Sequence, residues 1–204
     1  MSIQELRSLS DLDLQKIGTG SYKSNGSFAT VYEGLFPGTV IKRGDSMVDG
    51  WLIWALYCMS QTTEYVELPT IFRLHIDFRK KLFTAVMKEL DEAYLEEGSV
   101  SVIKVATNEP INWEEYLEDY YIDLLKPHIE KCLSTYKIPL SYIRLDMHNN
   151  NYMEDSSGNL VINDPLSTIR RTVSDKNLPE CSYAVETLFK KTPMPAGLTF
   201  TTRE

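Results

Sequence analysis

The chain has 204 residues and a formal net charge of −8, with 29 acidic against 21 basic side chains. That length suits one domain or two small lobes, and the acidic excess argues against a nucleic-acid-binding surface, which carries a surplus of Lys and Arg. An apolar fraction of 43% is enough to build a core, while the longest apolar run, Trp51 to Met59, is too short to span a bilayer, so no membrane partner is expected.

Cys58, Cys132 and Cys181 are widely spaced, odd in number and lack a CxxC spacing. They read as reduced thiols of a cytoplasm-like compartment. The opening, Met1 to Arg7, lacks the pattern of a signal peptide.

Taken in order, Leu6, Leu9, Leu12 and Leu14 predict a short helix within residues 2–16. Glycines 18, 20 and 26 then allow two loops, the second followed by strand-like Phe28, Val31 and Tyr32. A turn at Pro37 and Gly38 leads to a short strand ending in Lys42. A hairpin with a glycine-bearing lip lets backbone N–H groups approach phosphate oxygens, and a lysine on the next strand can reach the same oxygens as a point charge. A plain hairpin with a solvated lysine has the same signature.

Residues 46–60 predict a helix that is apolar nearly all round and therefore packed on several sides. Asp49, near its start, suits the positive end of the helix dipole. Residues 71–76 and 82–87 read as antiparallel strands, and Ser99 to Ala106 as a further strand. The polar stretch 88–111 is the expected boundary between two lobes. From Asn112, apolar residues at helical spacing (Trp113, Tyr116, Leu117, Tyr120, Tyr121, Leu124) predict the strongest helix, kinked or divided at Pro127. Pro179 opens a last helix through Lys191, and the Pro- and Thr-rich end reads as a mobile tail.

Residues 142–167 carry the chemistry. Asp146 is followed five residues later by Asn151. Tyr152 and Met153, a turn over Asp155 to Asn159, and Leu160 to Ile162 predict a hairpin leading to Asp164. Asn151 starts one strand and Asp164 ends the other, so the two side chains are expected to meet at one end of the ribbon. Two oxygen ligands with a third acid nearby are what a hard divalent cation and a phosphate ester require. The alternative is a surface hairpin with ordinary Asn and Asp turn residues.

The whole order resembles a reduced bilobal protein-kinase-like fold. Asp146-x-x-x-x-Asn151 is similar to the kinase catalytic loop, and Asp164 falls where the metal-binding acid of the DFG motif belongs. Ser24-Asn25-Gly26-Ser27-Phe28-Ala29-Thr30-Val31 is similar to the Gly-rich loop, Val40-Ile41-Lys42 to the third-strand lysine motif, and Val86 to Leu90 to the hinge. Within this superfamily the segments Leu145 to Met153 and Ile162 to Ser167 resemble the early serine/threonine protein kinase of T-seven-like bacteriophages, from about residue 17 to 170.

That resemblance implies an α+β fold, with a small antiparallel β-rich N-lobe over residues 1–90 and a mainly helical, truncated C-lobe over 91–204. It implies an ATP- and Mg²⁺-dependent protein kinase acting on host bacterial proteins in the host cytoplasm. Asp146 would orient the acceptor hydroxyl and take its proton, and Asn151 and Asp164 would hold Mg²⁺. Lys42 would hold the α and β phosphates under the Ser24 to Val31 loop (Ser24, Asn25, Gly26, Ser27, Phe28, Val31), while Lys88 and Leu90 would meet adenine through backbone groups. The departures are Arg144-Leu145-Asp146 for HRD, Asp164-Pro165-Leu166 for DFG, no APE segment, and no Glu in the helix after Lys42, where Asp49 is the nearest substitute partner. A catalytically silent kinase-fold protein that binds a host factor, and a small-molecule phosphotransferase, remain alternatives. His148, between Asp146 and Asn151, is expected to serve local hydrogen bonding.

Overall fold

The computed structural model describes residues 3–10, 14, 20–26, 29–34, 36–45, 50–93, 119–136, 143–146, 151–168 and 178–202. The architecture is α+β. Its centre is a six-stranded mixed sheet in the order β1-β2-β3-β5-β4-β11. The strands are β1 (Tyr22–Asn25), β2 (Ala29–Glu33), β3 (Thr39–Gly44), β4 (Ile71–Asp77), β5 (Leu82–Lys88) and β11 (Leu198–Thr201). The first five pair antiparallel, and β11 joins β4 in parallel.

Side chains alternate across this sheet, as a strand period of two requires. On one face Ile41, Phe72 and Val86 pack with Leu6 and Leu14, Leu6 belonging to the short helix α1 (Ile3–Arg7). On the other, Leu74, Ile76, Phe83 and Ala85 pack with helix α2 (Gly50–Ser60). Residues 50–57 of α2 are all buried, which accounts for its unbroken apolar sequence. Helix α3 (Asp119–Tyr136) and helix α4 (Leu178–Lys191) complete the helical part. Among the described residues no helix is long and apolar enough to cross a membrane.

Two small sheets carry the rest. Strands β7 (Ile143–Leu145) and β10 (Leu166–Thr168) pair antiparallel. Strands β6 (Asp91–Glu92), β8 (Tyr152–Glu154) and β9 (Leu160–Ile162) form the other sheet, in the order β6-β8-β9. The chain thus passes from β5 to β6, from the large sheet to a small one, through Glu89 and Leu90 alone.

Two expectations need correction. Pro127 neither divides nor ends its helix, since α3 runs unbroken across it. Pro127 is exposed, while Ile129 and Cys132 of the same helix are buried. The C-terminal stretch is no loose tail. Gly197 adopts φ +86° with its Cα against the Phe72 carbonyl, where a Cβ would come within 2.3 Å, and it accepts from Leu74 N–H at 2.9 Å. Buried Arg73 secures the strand that follows, donating to the Gly197 carbonyl at 2.7 Å and to Thr199 Oγ1 at 2.9 Å. Strand β11 thus pairs with β4 at the edge of the large sheet. The strand expected over 99–106 lies outside the described residues, as does the start of the helix expected from Asn112.

Candidate functional site

Cross-strand register sets the first half of the site. Ser24 lies opposite Val31, Val31 opposite Lys42, and Lys42 opposite Ala85. These four form one row across β1, β2, β3 and β5, so their side chains share the face that packs on α2. The β1–β2 hairpin closes as expected for a glycine-bearing lip. Gly26 N–H donates to the Ala29 carbonyl at 2.8 Å, and Thr30 Oγ1 donates to Asn25 Oδ1 at 2.9 Å. Ser27 and Phe28, at its tip, lie outside the described residues.

Lys42 is buried, 7% exposed, and its Nζ lies 3.0 Å from Asp164 Oδ2, across 122 residues of sequence. The same Nζ sits 4.2 Å from the centroid of the Trp51 ring. A buried ammonium is costly without a partner, and a carboxylate and a π face are the two kinds of group that lower that cost. Asp49, the partner suggested from the sequence, is outside the described residues. Trp51 was not legible as a site residue, because every neighbour in α2 is apolar too. Only the placement of the helix start beneath β3 singles it out.

The second half is held by individual backbone contacts. Asp146 N–H donates to the Pro165 carbonyl at 2.8 Å, extending the β7–β10 ladder. Asn151 Nδ2 donates to the Asp146 carbonyl at 2.6 Å. The β8–β9 ladder continues past Tyr152 and Ile162, with Asn163 N–H donating to the Asn151 carbonyl at 2.9 Å. Asp164 is thus one residue beyond a closed hairpin and one residue before the Pro165–Asp146 contact. The hairpin formed as expected, and its end carries both Asn151 and Asp164. The Asn151 amide donates to the Asp146 carbonyl and the Asp164 carboxylate accepts from Lys42.

Further residues support Asp164 from behind. Ile162 N–H donates to the Glu67 carbonyl at 2.8 Å, and the Ile162 carbonyl accepts from Trp54 Nε1 at 3.1 Å. Glu67 is itself tied through Oε1 to His128 Nε2 at 3.0 Å, and His128 Nδ1 lies 3.0 Å from the Tyr57 hydroxyl. A Cβ on Gly50 would come within 2.6 Å of the Leu166 carbonyl, so the start of α2 is pressed against the chain just after Asp164. None of these carries a motif; each acts by its position in the tertiary fold.

The linker is tied to both sides. Lys23 of β1 forms an ion pair with Glu89, and Lys88 Nζ lies 3.3 Å from Asp155 Oδ2 in the β8–β9 turn. Lys88 N–H, one of the groups expected to face adenine, donates to the Thr70 carbonyl at 2.9 Å. That donor is directed to the neighbouring strand. Leu90 follows Glu89, whose own N–H reaches the Gly38 carbonyl at 2.9 Å.

As a donor set for a cation, Asn151 and Asp164 offer one amide oxygen and one carboxylate. Among the described residues no group of three His, Cys, Asp or Glu side chains is placed to hold a metal ion. Both are oxygen donors, the ligand type that Mg²⁺ takes when it completes its shell with phosphates and water. His148 lies outside the described residues. No protein-family model and no curated protein matches this chain.

Proposed function

We propose that the chain is an ATP- and Mg²⁺-dependent protein serine/threonine kinase of phage type, on a reduced protein-kinase-like scaffold, acting on host proteins in the bacterial cytoplasm. The observation that carries this reading is the 3.0 Å contact between Lys42 and Asp164. The two residues belong to separate patterns, one suited to phosphate and one to a metal ion, and they join the large sheet to the chain between β9 and β10. A helix set between the lysine strand and the next hairpin, and a two-residue link from sheet to sheet, also suit a small β-rich lobe joined to a second lobe.

In this reading Lys42 holds α and β phosphate oxygens, beneath the lip that follows Ser24, Asn25 and Gly26. Asn151 and Asp164 would hold Mg²⁺, which when bound supplies charge neutralisation on the phosphates. Asp146 orients the acceptor hydroxyl and takes its proton as the hydroxyl oxygen bonds to the γ-phosphorus and the bond to the bridging oxygen breaks, releasing ADP. The Asn151–Asp146 and Asp146–Pro165 hydrogen bonds keep that carboxylate in register with Asp164. Positioning of this kind carries most of the catalysis in phosphoryl transfer.

A catalytically silent binding protein on the same scaffold draws support from a different observation. Lys88 N–H, expected to face adenine, is given instead to the Thr70 carbonyl at 2.9 Å. The test is incubation with γ-labelled ATP, Mg²⁺ and bacterial lysate, beside Asp164→Ala and Asp146→Asn. Label on protein Ser or Thr that both variants lose by about a hundredfold or more supports the kinase. Nucleotide binding without transfer supports the silent reading, and absence of both defeats the nucleotide site itself.

A further inference from the structure

Lys42 touches two groups of different kind. One is the Asp164 carboxylate, 3.0 Å away; the other is the Trp51 ring, 4.2 Å from Nζ to centroid. The ring is held on every side. Trp51 is fully buried and stacks on Phe83 at 5.2 Å and 21°. The backbone just before it, at Gly50, is pressed on Leu166. The helix start thus contacts the chain that carries Asp164 while its first large side chain lies against Lys42.

We infer that Trp51 is the positioning residue for Lys42: its π face holds the ammonium in place when Asp164 exchanges lysine for a cation. This inference rests on the nucleotide-binding reading above. A carboxylate partner would accept an N–H from the lysine and cancel its charge. An aromatic face attracts the cation through its quadrupole, while the three N–H donors of the ammonium remain directed by other acceptors. A lysine seated on a ring therefore keeps its full charge for phosphate. It also keeps its place when the carboxylate beside it turns to a metal ion, so no buried charge is stranded during the exchange.

Graded fluorination of tryptophan tests this, because fluorine draws electron density off the ring face and leaves the ring's shape nearly intact. Biosynthetic labelling also reaches Trp54 and Trp113, so each measurement is paired with the same labelling in Lys42→Met. In the wild-type chain the MgATP dissociation constant is expected to rise stepwise with fluorination, by about tenfold over the series. The rise should appear in KM with kcat little changed. The melting temperature of the nucleotide-free protein should fall in step. In Lys42→Met both trends should vanish. If Lys42→Met does not fold, Lys42→Met with Asp164→Asn takes its place. Equal effects of fluorination in both backgrounds would overturn the inference and leave Trp51 as packing alone. If no chain binds MgATP, the nucleotide reading falls, and the melting series still decides whether the ring holds the lysine.

Discussion

Lys42 and Asp164 meet at 3.0 Å, yet the two ends of that contact are built differently. Lys42 stands in β3, paired over its whole length with β2 on one side and β5 on the other. Its position is shared among many equivalent hydrogen bonds. Asp164 stands between two three-residue strands, β9 and β10. Its position depends on a few separate contacts: Asn163 with Asn151, Pro165 with Asp146, Ile162 with Glu67 and Trp54, and Leu166 with Gly50. A ladder spreads the effect of any one change over the sheet. Separate contacts each carry a large share, so single substitutions near Asp164 are expected to move the site where substitutions in the sheet lower only stability.

Gly50→Ala should break the comparison most sharply. The added methyl meets the Leu166 carbonyl at 2.6 Å, and a backbone atom cannot turn aside as a side chain can. The expected cost is about 3 kcal/mol, together with weaker MgATP binding, read by denaturant titration and calorimetry. Val86→Ala, buried on β5 facing Leu6 and Leu14, should cost about 2 kcal/mol through lost burial and a cavity. Its MgATP affinity should stay at the wild-type value; a parallel loss would show that the sheet is not the tolerant side.

Trp54→Phe removes the hydrogen bond to the Ile162 carbonyl and keeps most of the ring. The expected cost is about 1 kcal/mol, with a measurable fall in Mg²⁺ affinity because Asp164 lies two residues on. The smallest effect is one of pH. The Asp155 carboxyl accepts from the backbone N–H groups of Asn159 and Ser157, which together with Lys88 hold its pKa down to about 2. A folded pKa below the unfolded one contributes stability above the unfolded value, near pH 4, and that contribution is lost as pH falls toward 2. Melting temperatures of the wild-type chain should therefore drop more between pH 5 and pH 2 than those of Asp155→Asn. Equal drops would mean that the turn contributes nothing through its carboxylate.

The same contrast explains what was legible in advance. The strands over 71–76 and 82–87 and the hairpin after Asn151 could be read because alternation and turn chemistry are local. The apolar run after Asp49 could be read as a helix packed on several sides, since no face of it is polar. Pro127 misled because a helix held by its buried residues, Ile129 and Cys132 among them, can run on across an exposed proline. The last strand misled because Pro, Gly and Thr residues look like a tail until buried Arg73 and the Phe72 carbonyl are known to be waiting for them.

The α+β class was implied by the family resemblance; from the residues themselves came the oxygen-bearing side chains of Asp146, Asn151 and Asp164, and Lys42 on a short strand. The latter depend on residue type and on spacing within about twenty positions. Only the tertiary structure decided that Lys42 and Asp164 touch, that Trp51 lies against that lysine, that Glu67 and Trp54 grip Ile162, and that residues 198–201 close the far edge of the sheet. Apart from Lys42 and Trp51, which are close in the chain but set in different elements, those contacts join segments about a hundred positions apart, and no local pattern encodes them. They arise from which faces can be buried together once the sheet and α2 have packed.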